Sequence, residues 1–96
     1  MNLNKLHLLM LQNGYHHLSG FTNSQCLDLV FSKGYNGRGD SFSLNIELLR
    51  DVCYVCHYKQ NNAPNPPIIS EIKDVTFDDM IKFIENKLNS TSKEDL

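Results

Sequence analysis

The chain reads as an α+β domain: an N-terminal helix, a three- to four-stranded antiparallel meander and a C-terminal helix, with both helices on one face of the sheet. Three observations predict this. Apolar residues recur at helical spacing at both ends of the chain. Between Gln25 and Leu48 the apolar period changes to two. A cluster of glycine and asparagine splits that alternating region in half.

The first helix is expected over Leu3–Asn13. Leu3, Leu6 and Met10 share a face, with Leu9 beside them. Asn2 is suited to cap its free backbone N–H groups, and Gly14 to the left-handed position that ends a helix. The stretch Tyr15–Thr22 has no clear period and reads as a connector that could hold a short strand.

From Gln25, residues Leu27, Leu29 and Phe31 point one way, and Cys26, Asp28, Val30 and Ser32 the other. The segment 34–40, Gly-Tyr-Asn-Gly-Arg-Gly-Asp, supplies residues that tolerate positive φ, as a hairpin turn requires. Alternation resumes with Phe42, Leu44, Ile46 and Leu48 opposite Ser43, Asn45 and Glu47. Val52–Tyr58 is β-branched, aromatic or thiol apart from His57, so it reads as a third, central strand. Gln60–Pro67 is a loop by composition, and Ile68–Ile72 a short edge strand.

The last helix is the plainest element. Phe77, Met80, Ile81, Ile84 and Leu88 follow helical spacing. Thr76 and Asp79 stand in the relation of a capping box, and Asp78 and Asp79 suit the positive end of the helix dipole. Residues 1–89 are expected to form the single domain, and 90–96 a frayed tail.

The net charge is −2, from 9 basic and 11 acidic residues. Nucleic acid and anionic membrane both need a basic face, so neither is expected as a partner. The order helix, three strands, helix resembles the double-stranded-RNA-binding domain. That fold reads phosphates with a basic turn at its last helix, where this chain has Thr76-Phe77-Asp78-Asp79, which would repel them. The 3 cysteines leave at least one thiol unpaired, which argues against a secreted disulfide framework. With no export signal and no run near the ~18 apolar residues of a membrane span, a cytoplasmic location is expected.

One motif carries chemistry. Cys53-Tyr54-Val55-Cys56-His57 matches the C-x-x-C-H pattern of covalent haem attachment. That chemistry needs a helical turn, which brings both thiols and the imidazole to one porphyrin. On a strand, Cys53 and His57 share a face and Cys56 takes the other. A zinc site drawing on Cys53, Cys56 and His57 with His16 and His17 meets the same obstacle, because structural zinc prefers chelating pairs on turns. The expectation is core cysteines, with no metal and no cofactor. Arg38-Gly39-Asp40 is a chance integrin tripeptide at an exposed hairpin tip. No hydrolase, metalloprotease or phosphate-loop motif is present. A thiol pair such as Cys26 with His16 can be imagined, but the reading is non-enzymatic.

The expected function is that of a small non-catalytic protein-binding domain. The type is an inhibitor, immunity protein or antitoxin that neutralises a toxin, nuclease or other effector by docking to it. The expected partner is another protein with a basic surface, met through the acidic helix (Asp78, Asp79, Glu85) or the hairpin tip (Tyr35, Asn36, Arg38, Asp40). The chain itself would be a monomer or homodimer. The alternative is a metal- or haem-binding protein using Cys53, Cys56 and His57.

Overall fold

A computed structural model describes the backbone of residues 2–34, 39–60 and 66–94, and the side chains of those up to residue 89. Tyr35, Asn36 and Arg38 of the expected hairpin tip lie outside the described residues.

Helix α1 spans Leu3–Gln12. Asn2 Oδ1 accepts from the Lys5 N–H at 3.1 Å, the expected cap. The helix ends in a Schellman arrangement. Gly14, at φ 86°, donates to the Leu11 carbonyl, and Tyr15 donates to the Met10 carbonyl. Met10 and Tyr15 are both buried, which supplies the apolar contact this motif favours. The turn therefore delivers Tyr15 into the core and the chain into its first strand.

The sheet is larger than the sequence indicates. It has five antiparallel strands, not three or four, in the order β1-β2-β3-β4-β5. They are β1 (His16–Thr22), β2 (Cys26–Ser32), β3 (Gly39–Glu47), β4 (Val52–Gln60) and β5 (Ile68–Val75). The additional strand is β1. It hides in the sequence because it is an exposed edge whose register against β2 shifts between His17 and Ser19. A strand that buries little and carries a bulge has no reason to alternate. Its closing turn was readable: Asn23 Oδ1 accepts from the Gln25 and Cys26 N–H groups at 2.7 and 2.9 Å, a bond pattern typical of asparagine turns.

The hairpin of β2 and β3 has the expected faces, with Phe31 opposite Phe42 and Leu29 opposite Leu44. Segment 52–60 is a strand, flanked on both sides by β3 and β5. β5 runs past Ile72 to Val75, kinked at Asp74 with φ 58°.

Helix α2 spans Phe77–Glu94; residues 90–94, expected in a tail, are part of it. Thr76 Oγ1 accepts from the Asp79 N–H at 3.2 Å. A second cap comes from the β3–β4 turn, where Asp51, at φ 51°, accepts the Phe77 N–H at 2.9 Å on its Oδ1. Replacing Asp51 with alanine should cost about 1 kcal/mol in chemical denaturation. Asparagine, which keeps an acceptor and tolerates the left-handed backbone, should recover most of it.

Both helices pack on the same face. Leu6 and Met10 of α1, and Phe77, Met80, Ile81, Ile84 and Leu88 of α2, share one core cluster with Leu29, Phe31, Phe42, Leu44, Ile46, Cys53 and Val55 of the sheet. The opposite face carries Val30, Ser43, Asn45, Tyr54, Cys56 and Tyr58, and among the described residues no helix packs on it. Among the described residues, no helix is long and apolar enough to cross a membrane.

Candidate functional site

The C-x-x-C-H segment lies wholly within β4. Strand alternation puts Cys53, Val55 and His57 under the helices and Tyr54, Cys56 and Tyr58 on the open face. Cys53 is sealed in the core, where burial, with a smaller push from the Asp51 charge, raises its thiol to about 11. The two sulfurs therefore face opposite sides of the sheet and cannot attach one haem. His16 and His17 sit on β1, three strand spacings from β4, roughly 14 Å away. Among the described residues no three His, Cys, Asp or Glu side chains come together to hold a metal.

His57 is instead the centre of a buried polar cluster. Its ring stacks on Phe42 at 4.5 Å and 7°, and Phe42 meets the Tyr15 ring edge-on at 5.3 Å. Asp40 Oδ2 lies 3.6 Å from His57 Nε2, beyond hydrogen-bond distance. Asp40 belongs to β3 and is half-buried, so it is drawn under the sheet's end instead of being displayed on the hairpin tip. Both His57 nitrogens, and Ser70 Oγ on the neighbouring strand, are closed to solvent without a hydrogen-bond partner. Burial lowers the His57 pKa. The Asp40 charge opposes this, and Lys87 and Lys33 add to it. Asp40, His57 and Ser70 stand on three adjacent strands in the residue order of a hydrolase triad. Neither contact to His57 is a hydrogen bond, however, and Ser70 Oγ is sealed from any substrate, so the cluster cannot present a nucleophile.

The open face offers more. Ser43, Tyr54, Cys56, Tyr58, Gln60, Pro66 and Ile68 line a groove of about 390 Å³. Tyr54 donates its hydroxyl to Glu71 at 2.9 Å, and this bond, together with burial, raises its pKa; burial also raises that of Tyr58. Further across, Asn45 Nδ2 donates to Asp28 Oδ1. Ser19, Phe21, Asp28 and Val30 frame a second hollow. Phe21 and Ile68 are 61% and 59% exposed. The sequence singled out none of Tyr54, Tyr58, Ile68 or Glu71. Period two applied to 52–58, together with helices on one side only, would have placed the two tyrosines on the same uncovered face, on either side of Cys56.

The acidic helix is less acidic in space than in sequence. Asp78 and Glu85 share a groove with Lys5 of α1 and Lys82, two charges of each sign. Asp79 is exposed on the first turn. No family model, no curated protein and no solved structure matches this chain.

Proposed function

We propose that the protein is a non-catalytic binding domain of the inhibitor or immunity type, which neutralises an effector such as a toxin or nuclease by docking to it. The observation that carries this reading is the helix-free sheet face, with its groove between Tyr54 and Tyr58 and Glu71 at its side. Tyrosines on a rigid strand give large contact area at little entropic cost, and they are enriched where binding energy concentrates. A lysine or arginine of the partner fits this groove, lying over a tyrosine ring while pairing with Glu71. The net charge of −2 favours approach of a basic surface. The balanced charges around Asp78 and Glu85 make α2 the weaker docking site. The metal- or haem-binding alternative has no observation in its favour, since β4 divides its donors between two faces.

The test is quantitative affinity capture with three baits: wild type, Tyr58→Ala combined with Glu71→Lys, and Asp78→Lys combined with Asp79→Lys. A basic partner should bind the wild type, lose at least about tenfold in affinity for the groove variant, and bind the helix variant nearly as well. Full binding by the groove variant would refute this docking face.

A further inference from the structure

The helix-free face holds a second hollow, of about 300 Å³, lined by Ser19, Gly20, Phe21, Asp28 and Val30 over β1 and β2. Strand register ties it to the tyrosine groove. Phe21 stands opposite Asp28, Asp28 opposite Asn45, and Asn45 opposite Tyr54, so one cross-strand row runs from β1 to β4. The Asn45 amide fixes Asp28 by donating to its Oδ1. The second carboxylate oxygen is left to accept another donor.

The row presents the same combination at both ends. On β4, the Tyr54 hydroxyl donates to the Glu71 carboxylate at 2.9 Å. On β1, the exposed Phe21 ring stands beside the half-buried Asp28 carboxylate. An aromatic ring next to a carboxylate holds a lysine or arginine side chain twice over, through the ring face and through charge. Lys73 lies 4.0 Å from Glu71 and its side chain is 65% exposed. A surface pair of that length is worth little, so an incoming cation can displace it. Glu47 differs, because Arg50 already occupies both of its oxygens.

We propose that the hollow at Phe21 and Asp28 is a second cation site on the docking face, and that the partner presents two basic side chains, one for each aromatic–carboxylate pair. This rests on the reading of the helix-free face as the docking surface. Phe21 and Tyr54 are three strand spacings apart, roughly 14 Å, which sets the separation of the two cations. On an extended segment, residues i and i+4 point the same way and stand about 13 Å apart, so arginines or lysines at that spacing fit both sites. Neighbouring basic residues in an extended segment point to opposite sides, and only one of them can enter.

The probe is the capped peptide Arg-Thr-Val-Thr-Arg, titrated into the labelled chain at millimolar concentration and followed by amide chemical shifts. Shifts should appear both around Phe21 and Asp28 and around Tyr54 and Glu71. Replacing the second arginine of the peptide with glutamine should weaken binding at least about threefold. Asp28→Asn, which keeps an acceptor for Asn45, should bind the two peptides equally, with its circular dichroism spectrum unchanged. Shifts confined to the surroundings of Tyr54 and Glu71, or equal binding of the two peptides by the wild type, would overturn the second site and leave the docking face standing. No shift anywhere on the helix-free face would overturn both.

Discussion

Phe42→Ala is expected to destabilise the protein by about 3–5 kcal/mol. Phe42 is fully buried at the middle of the helix-covered face. Its ring holds two others in place, stacking on His57 and meeting Tyr15 edge-on. Removing it deletes the transfer energy of the ring and leaves a cavity that neighbouring strands, fixed by their ladders, cannot close. A domain of this size has a total stability on the order of 5–10 kcal/mol, so the variant should be close to unfolded at room temperature. Phe42→Leu keeps most of the volume and should lose far less. Urea denaturation followed by circular dichroism measures both. An alanine variant within about 1 kcal/mol of wild type would mean that this residue is not at the centre of the core.

The second expected result is a loss of stability in mild acid that runs through His57. Its pKa in the folded chain lies below the ordinary value of 6.5 because burial disfavours the imidazolium. The unfolded chain therefore binds a proton more readily than the folded one. The stability that depends on neutral His57 is complete above about pH 6.5 and declines as the pH falls through 6.5 toward the lower folded value. The slope in that window reaches up to about 1.4 kcal/mol per pH unit. Asp40 on β3 works against the loss, while Lys33 after β2 and Lys87 on α2 deepen it; Ser70 on β5 is uncharged. His57→Phe removes the titrating ring and its two unpartnered nitrogens and leaves a ring to stack on Phe42. The denaturant midpoint should be lower at about pH 5.5 than at about pH 7.5 for the wild type, and less so for His57→Phe. Equal falls in the two proteins would show that His57 is not the group responsible.

The sequence made the regular elements legible wherever burial imposes a period. The faces of β2 and β3, the apolar stripes of both helices, the Asn2 and Thr76 caps and Gly14 all follow from local chemistry. Strand β1 did not, because an edge strand with a bulge and a Ser-Gly pair buries too little to show alternation. The cap that Asp51 gives α2 joins residues 26 positions apart and has no local signature. Asp40 read as part of an exposed tip because its neighbours are glycines and polar residues. The His57 ring beside it, and the Tyr15 hydroxyl whose pKa burial and then the Asp40 charge raise, come to it only through strand register and the turn after α1. The functional face was hidden for a related reason. Tyr54 and Tyr58 read as members of an apolar strand, and only the one-sided placement of the helices leaves them uncovered. The same register separates Cys53 from Cys56 and turns the one cofactor-like motif into packing residues.

The central claim is that the helix-free face of the sheet is the docking surface. Amide hydrogen exchange of the chain alone and saturated with its captured partner tests it most directly. The account predicts new protection on β4 and β5 around Tyr54, Tyr58, Ile68 and Glu71, with α2 around Asp78, Asp79 and Glu85 unchanged. New protection confined to the two helices, with β4 and β5 unchanged, would contradict it.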